Sequence, residues 1–241
     1  MGYKGGKGQD GVYHRIINQI PPHSTFIECF FGHGAITKYK LPAAATIAID
    51  ADASVIHRFE RLYISGDACS RLPGLLAICG DAISFLKSYD WKGGEFVYAD
   101  PPYLMETRSY KEPIYRHEFS TNEQHIELLT LLRSLPCMVA LSGYWSSLYE
   151  SMLQGWRSIS YTVGVQGGQS RTEWLWMNYS EPAALHDYRY LGENFREREK
   201  INRQRRRWRA RLLRMSALQR YALLSSIAEL DDTAGGHAAP T

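Results

Sequence analysis

The sequence predicts an α/β protein with a mostly parallel sheet that ends in an antiparallel hairpin, and two observations support this. Short apolar runs alternate with helical patterns from residue 24 to about residue 154, which is typical of a parallel sheet with helices on its faces. Two runs that alternate apolar and polar residues then flank the turn QGGQS. Such a pair around a glycine turn favours an antiparallel hairpin at the sheet edge.

Five short apolar runs are the expected strands of the parallel part. These runs are STFIEC (24–29), TIAID (46–50), LLAICG (75–80), EFVYAD (95–100) and CMVALS (137–142), and the hairpin strands are WRSISYTVGV (156–165) and RTEWLWMN (171–178). Helical patterns begin at Ala35 and cover 52–63, 82–88, 121–134 and 145–154. Ser120 and Glu123 have the spacing of a capping box before the fourth of these helices.

Length and composition indicate one α/β domain with extensions. The chain has 241 residues, of which 44% are hydrophobic and 12% aromatic, and this excludes disorder of the whole chain. We expect a main domain over 1–185, a basic helical extension over 186–230 and a disordered tail over 231–241.

Signals for export, membrane insertion and metal binding are missing from the sequence. No apolar run approaches the roughly 18 residues of a membrane span, and the start MGYKGGKGQDG lacks the apolar core of a signal peptide. We therefore expect a cytoplasmic protein. The cysteines form no CxxC pair and have no histidine at ligand spacing, which predicts reduced thiols and no metal site; they are Cys29, Cys69, Cys79 and Cys137.

Positive charge is concentrated in one segment. The formal net charge is +3, but residues 196–214 hold ten Lys and Arg against two Glu, so the rest of the chain carries −5. Such a segment suggests a polyanion partner, although a charge run is also compatible with a solvated helix face. Ile201, Trp208 and Leu212 fall near one stripe and offer a narrow face for packing.

The most informative motif is Asp100-Pro101-Pro102-Tyr103, directly after the predicted strand EFVYA. Consecutive prolines end the strand and fix the backbone, so the acid and the ring are displayed rigidly at the carboxyl edge of the sheet. A carboxylate and the Pro101 carbonyl can accept the two protons of an amine, and Tyr103 offers a flat face for a base. The alternative is an ordinary strand-ending turn with a buried acid.

Three further segments have the features of a nucleoside site. Glycines of ECFFGHG (28–34) lie at a strand-to-helix junction, Asp50 ends the next strand, and Gly80-Asp81-Ala82 ends the third. A carboxylate at Asp50 suits ribose hydroxyls, and Asp81 suits either an adenine amino group or a helix N-cap. The glycine-rich start YKGGKG (3–8) reads as a further binding segment or as a flexible start.

These segments, in this order, resemble the Dam-like class of DNA adenine N6-methyltransferases, in the short form seen in phages and mobile elements. The matching pieces are YKGGKG, FIECFFGHGAIT, Asp50, GDA, DPPY, HEFSTNEQH, LSGYWSSLYESM, GW and RTEWLWMN. They cover residue 3 to about residue 178. The family usually has Trp where Tyr3 stands and Pro where Cys29 stands.

The resemblance implies a Rossmann-like S-adenosylmethionine-dependent methyltransferase fold and direct methyl transfer without a metal. Its implied catalytic residues are Asp100, Pro101, Pro102 and Tyr103. Its implied residues for S-adenosylmethionine are Tyr3, Lys7, Glu28, Phe30, Gly32, Gly34, Asp50, Asp81, Ala82 and Asp100. The implied partner is double-stranded DNA.

The separate recognition domain of larger family members cannot fit in the short stretch between Asp50 and Asp100. Replacement DNA contacts are expected in the loop 104–117, the hairpin tip 166–171 and the basic helix. The candidate residues are Arg108, Tyr110, Lys111, Arg116, Gln169, Arg171, Arg205, Arg206, Arg207 and Arg209.

Three other interpretations share the same motifs. Adenine in RNA would be methylated by identical chemistry. Methylation of cytosine N4 tends to use Ser at the position of Asp100, and the acid argues against it. A catalytically silent nucleic-acid-binding protein of the same fold is disfavoured by the intact Asp100, Tyr103 and Asp50.

Overall fold

The computed structural model describes residues 7–8, 11–63, 74–108, 116–164 and 170–235. Its centre is one seven-stranded sheet with the strand order β3-β2-β1-β4-β5-β7-β6. The strands are β1 (Thr25–Cys29), β2 (Ala45–Asp50), β3 (Leu75–Cys79), β4 (Glu95–Ala99), β5 (Met138–Gly143), β6 (Arg157–Gly164) and β7 (Ser170–Met177).

The first five strands are parallel and the last two form the predicted hairpin. In β1, β2, β4 and β5 nearly every residue is buried, as expected for strands with helices on both faces. β6 pairs with β7 in antiparallel register from Arg157 opposite Met177 to Gly164 opposite Ser170. β7 also pairs antiparallel with β5, so the hairpin closes one side of the sheet.

Helices cover the sheet and follow the predicted segments closely. They are α2 (Ala35–Tyr39), α3 (Ala53–Tyr63), α4 (Ala82–Ser88), α5 (Asn122–Ser134) and α6 (Ser147–Met152), with a short 3-10 helix at Met105–Thr107. One helix lies ahead of the predicted elements, α1 (Val12–Ile17), and it buries Val12, Ile16 and Ile17. Its short apolar pattern gives little periodic signal.

The predicted capping box of α5 is wrong by one residue. The N-cap is Thr121, whose Oγ1 accepts a hydrogen bond from the Gln124 backbone at 3.3 Å. The Gln124 side chain returns the contact to the Thr121 backbone at 3.2 Å. Ser120 and Thr121 are both good caps, and Gln124 selects Thr121 because it can fill the third helical position.

Two compact units divide the chain, Met1–Tyr188 and Arg189–Thr241. The first holds the sheet. The second holds α7 (Phe195–Leu213) and α8 (Ala217–Gly235), so the first part of the segment expected to be a disordered tail is helical. No residue of α7 is buried, which leaves the predicted packing stripe half-exposed or exposed.

None of the helices within the described ranges combines the length and the apolar composition of a membrane span.

Candidate active site

The strand order brings two predicted motifs together at the carboxyl edge of the sheet. β1 lies between β2 and β4, and Cys29 at its end pairs with Ala99 of β4. The strands that follow β1 in sequence lie on one side of it, and β4 returns to its other side. The carboxyl end of β1 is therefore the switch point, where open α/β sheets form a crevice. Phe30 and Asp100 each follow directly after a strand at this crevice.

A tight turn after β1 forms one wall of the crevice. Phe30, Gly32 and Gly34 all have left-handed backbone conformations, with φ of 58°, 51° and 59°. Phe30 is the exception among described non-glycine residues, and such strain is commonly kept at functional sites. A Cβ added at Gly34 would lie 1.9 Å from Cζ of Phe31, so this position requires glycine.

Asp50 braces that turn from the end of β2. Its Oδ2 accepts a hydrogen bond from the Gly32 backbone at 2.8 Å, and its Oδ1 accepts one from the Asp52 backbone at 2.8 Å. Burial raises the pKa of Asp50, and these two backbone donors oppose the shift. Each carboxylate oxygen keeps one lone pair for a ligand hydroxyl, so bracing and ribose binding are compatible.

The end of β3 carries Asp81 as a helix cap. Asp81 is the N-cap of α4, where its Oδ2 accepts a hydrogen bond from the Ser84 backbone at 2.7 Å. Ala82 is buried in the first turn of that helix. The cap interpretation of Asp81 is therefore confirmed, and its contact with an adenine ring stays a prediction.

Glu28 faces a neighbouring helix. It is buried in β1, and its Oε2 accepts hydrogen bonds from the Thr37 backbone at 2.8 Å and from Thr37 Oγ1 at 2.5 Å. Burial raises the pKa of Glu28 to about 7. This side chain ties β1 to α2 through Thr37, and its predicted contact with the cofactor stays a prediction.

A buried charge cluster, formed by Lys7, Asp100, Tyr103 and Glu173, lies beside the turn. Lys7 Nζ is 2.9 Å from Asp100 Oδ1, 3.1 Å from Glu173 Oε2 and 2.5 Å from Tyr103 Oη. Tyr103 Oη also donates to Asp100 Oδ1 at 3.2 Å. Lys7 thus donates a hydrogen bond to Tyr103 and forms ion pairs with both carboxylates, of which the Glu173 contact lacks hydrogen-bond geometry.

The protonation states in this cluster follow from burial and charge. Burial lowers the pKa of Lys7, but the Asp100 and Glu173 carboxylates outweigh it and hold the pKa above its ordinary value. Burial raises the pKa of Asp100, while Lys7 opposes that shift. Burial also raises the pKa of Tyr103 well above its usual range, so the phenol stays neutral. The ammonium is therefore permanent at neutral pH.

An aromatic pocket lies next to Tyr103 and is reached through Tyr144. Its volume is about 510 Å³, and it is lined by Glu106, Thr107, Tyr144, Trp145, Ser146, Ser147, Arg171, Thr172 and Trp174. Tyr144 connects pocket and cluster, because its ring packs edge-on against Tyr103 with centroids 4.5 Å apart. The Arg171 guanidinium lies 5.4 Å from the Tyr144 ring centroid. Aromatic faces beside a cation suit a nucleobase and its phosphate.

Arg108 is held by internal contacts in this structure, and its predicted nucleic-acid contact stays a prediction. Its side chain is 7% exposed, Nε donates to the Tyr103 carbonyl at 2.6 Å, and Nη1 lies 3.0 Å from Glu118. These internal contacts turn the guanidinium away from solvent. Arg108 therefore positions the segment that carries Tyr103.

The other predicted nucleic-acid contacts are distributed over both units. Arg116 is exposed and lies 3.4 Å from Asp52 Oδ1, and Arg171 faces the pocket. The four arginines of α7 are solvent-exposed; they are Arg205, Arg206, Arg207 and Arg209. Four predicted site residues lie outside the described residues: Tyr3, Tyr110, Lys111 and Gln169.

Two residues near the site, Glu173 and Trp145, are not among the residues that the sequence predicts for it. The signal for Glu173 is an acid within the alternating apolar strand RTEWLWMN. Trp145 lines the pocket and is 49% exposed.

The structure describes three of the four cysteines. Cys29, Cys79 and Cys137 are free. No group of three His, Cys, Asp or Glu with metal-ligand geometry occurs among the described residues.

The strand order and the antiparallel β7 define a Rossmann-like fold of the methyltransferase type, as the sequence predicted. No family model and no curated protein matches the chain. Solved structures with a similar fold include TrmN from Thermus thermophilus, at 17% identity over 68% of this chain and 46% of that chain, with a TM-score of 0.46. This chain therefore spans about half the length of TrmN.

Two further structures with a similar fold are described as methyltransferases. The 23S rRNA methyltransferase ErmE is 11% identical over 80% of this chain and 82% of that chain, with a TM-score of 0.45. The magnesium protoporphyrin IX methyltransferase of Synechocystis PCC 6803, solved with bound S-adenosylmethionine, is 12% identical over 68% and 74%, with a TM-score of 0.43.

Proposed function

We propose that this protein transfers a methyl group from S-adenosylmethionine to N6 of a flipped adenine in double-stranded DNA. The observation that carries the proposal is the position of Asp100. Its partly buried carboxylate follows β4 at the switch point, next to the end of β1 where the glycine turn begins, and Tyr103 links it through Tyr144 to the aromatic pocket. In this proposal a methyl donor held at the glycine turn and a methyl acceptor held at the pocket meet at the same acid.

The residues on the glycine-turn side fit the proposed cofactor chemically. S-adenosylmethionine presents donors, namely two ribose hydroxyls and two amino groups, and a positive sulfur. The crevice offers hydrogen-bond acceptors. Asp50 is the last residue of β2, and Asp81 and Asp100 follow β3 and β4. When bound, this cofactor supplies a methyl group made electrophilic by the positive sulfur.

The chain's own residues would orient and activate the acceptor nitrogen. Asp100 and the Pro101 carbonyl accept the two N–H donors of the amine, which draws its lone pair out of conjugation with the ring. A new N–C bond forms as the S–C bond breaks, with its electron pair going to sulfur. The methylated nitrogen then loses one proton to Asp100 and onward to water, and the raised pKa of Asp100 favours that acceptance.

The target base would occupy the space between Tyr103 and the aromatic pocket. Tyr103 is fixed by Lys7, by Asp100 and by Tyr144 at its edge, so its ring offers a rigid stacking face. Arg171 at the pocket supplies positive charge for the flanking phosphate. Adenine is favoured over cytosine because position 100 is an acid.

DNA affinity is proposed to come chiefly from α7. Its exposed arginines make it a phosphate clamp that adds affinity without sequence information. The remaining chain has a formal charge of −5 and would repel a polyanion. The positive charge of α7 therefore offsets the electrostatic repulsion between DNA and the rest of the chain.

The experiment that tests this function compares nucleic acids from cells that express the chain, cells that express Asp100→Ala and cells that express neither. Mass spectrometry of digested DNA and RNA should find N6-methyladenine in DNA only with the unaltered chain. Methylation confined to RNA would replace DNA by RNA as the substrate. Absence of any methylated base with soluble protein would favour the catalytically silent alternative.

A further inference from the structure

We infer that Glu173 is a positioning residue that acts through Lys7 to keep the site negatively charged, which makes it receptive to a cationic methyl donor and to the positive charge that develops on the amine. This rests on the proposed function and assigns a role to a residue that neither the motifs nor the mechanism above uses.

Geometry shows that Lys7 is shared between two carboxylates. Its Nζ lies 2.9 Å from Asp100 Oδ1 and 3.1 Å from Glu173 Oε2. The side chains of Lys7 and Glu173 are 5% and 8% exposed, so water screens these charges weakly. Lys7 comes from the N-terminal segment and Glu173 from β7, and they meet at the end of β4.

The net charge of the cluster determines whether it attracts a cation. One ammonium faces two carboxylates, and burial keeps the surrounding phenols of Tyr98, Tyr103 and Tyr161 neutral by raising the pKa of each. Glu28 is the other nearby acid, and burial raises its pKa to about 7. Without Glu173, Lys7 and Asp100 would form a neutral pair with little attraction for a cation.

The transfer reaction moves a positive charge from sulfur to nitrogen. A site with one unbalanced negative charge stabilises that cation before, during and after the step, and it needs no reorganisation to do so. The bound cofactor loses its charge when its methyl group leaves, so the same negative charge favours S-adenosylmethionine over its neutral product, S-adenosylhomocysteine. Product release is thereby assisted.

A second buried glutamate supplies a matched comparison. Glu95 is 2% exposed at the start of β4, on the opposite edge of the sheet. Its two oxygens accept backbone hydrogen bonds from Lys92 at 2.7 Å and Gly93 at 2.8 Å. Glu95 closes a turn, whereas the described contact of Glu173 is an ion pair with Lys7. Both glutamates are buried, but only Glu173 pairs with Lys7. Comparing the two variants therefore separates the effect of the charge beside Lys7 from the general effect of losing a buried acid.

The test measures binding of S-adenosylmethionine and S-adenosylhomocysteine to the full chain by calorimetry. Glu173→Gln should lower the ratio of the affinities for S-adenosylmethionine and S-adenosylhomocysteine about tenfold, because it weakens the binding of S-adenosylmethionine alone. The single-turnover rate at saturating cofactor should change little, because the negative charge stabilises the cation both before and during the step. Glu95→Gln should leave both quantities unchanged. Lys7→Met/Glu173→Gln, which leaves Asp100 as the single charge, should recover the preference for the cation.

The outcomes separate this inference from the proposed function. Equal weakening of both ligands by Glu173→Gln, or an unchanged preference, would overturn the charge role. If Glu173→Gln does not fold, Lys7→Met/Glu173→Gln tests the inference instead. Loss of the preference for S-adenosylmethionine over S-adenosylhomocysteine in this double variant would contradict the charge role. A wild-type protein that binds neither ligand would overturn the proposed function itself.

Discussion

The two units of this protein use charge in opposite ways. In the first, the buried Lys7 ammonium forms ion pairs with the carboxylates of Asp100 and Glu173 at the end of the sheet. In the second, α7 carries its arginines in solvent, with long contacts such as the 3.8 Å between Arg206 and Glu199. A buried charge requires a partner and responds strongly to any change, whereas an exposed charge is screened and interchangeable.

In the proposed function, the first unit supplies the chemistry and the second supplies the affinity for DNA. Fixed, desolvated charges act on one small group at one position, as catalysis requires. Exposed charges act on a polyanion of any sequence, as non-specific binding requires. Substitutions in the first unit should therefore change rates by large factors, and substitutions in α7 should change salt-dependent affinity.

The largest effect is expected at Asp100. Asp100→Asn should leave the fold intact and lower methyl transfer by more than about a hundredfold, because an amide presents a donor where the target amine also donates. Single-turnover methylation measures the loss. Asp90→Asn removes an 85% exposed acid of the same unit and should change nothing. An undiminished rate in Asp100→Asn would remove the motif from catalysis.

The next effect concerns the arginine helix. A chain that ends at about residue 190 should bind cognate and non-cognate duplexes roughly a hundredfold more weakly at low salt, with a flatter salt dependence. Cofactor affinity should be unchanged. A chain that ends after Met215 keeps α7 without α8 and should bind like the full protein. If the shorter chain retains affinity but loses discrimination, α7 reads bases and the assignment is reversed.

A smaller effect is expected at Asp50. Asp50→Ala should weaken S-adenosylhomocysteine binding by about 1.5–3 kcal/mol, because it removes a charged acceptor and the brace of the Gly32 turn. The rate at saturating cofactor should change little, since this contact acts on ground and transition states alike. Asp52→Ala is the control, because Asp52 caps Ser54 in α3 and contacts Arg116. Equal calorimetric affinities for the Asp50 variant and wild type would exclude Asp50 from the site.

The smallest effect is a pH dependence of stability at Glu28. Burial raises its pKa from 4.5 to about 7, so the folded state holds the proton more tightly than the unfolded state. This contribution to stability is fully present below pH 4.5 and is lost as the pH rises to about 7. Glu28→Gln, which still accepts from Thr37, should therefore gain on the order of 2 kcal/mol over wild type at pH 8.

Denaturant unfolding at pH 4 and pH 8 measures this difference. Glu60→Gln, a change in an exposed acid of α3, should show no such gain. Parallel stability of the Glu28 variant and wild type across this range would show that the acid is not destabilised by burial.

Sequence patterns predicted the sheet well because its strands are short apolar runs bounded by turns. The motif after β4 and the glycine turn after β1 also follow from local sequence, since each lies at the end of a strand. The contact between Lys7 and Tyr103 could not be predicted, because it joins residues 96 apart through the order of the strands.

Long-range packing also determines contacts that local sequence does not indicate. Arg108 is an arginine in a loop, and its sequence context says nothing of its contacts with the Tyr103 carbonyl and Glu118. Glu28 lies close to the glycine turn in sequence, yet its side chain accepts hydrogen bonds from Thr37. Both side chains make internal contacts that only the folded chain shows.

The most direct test of the central claim follows the methyl group. The full chain, with S-adenosylmethionine labelled in the methyl group, is incubated with unmethylated genomic DNA and RNA together, and the digested nucleosides are separated. Label should appear in N6-methyl-2′-deoxyadenosine, and no label should appear there when Asp100 is replaced by Asn. Label in N4-methylcytosine, in a ribonucleoside alone or in no nucleoside would contradict it.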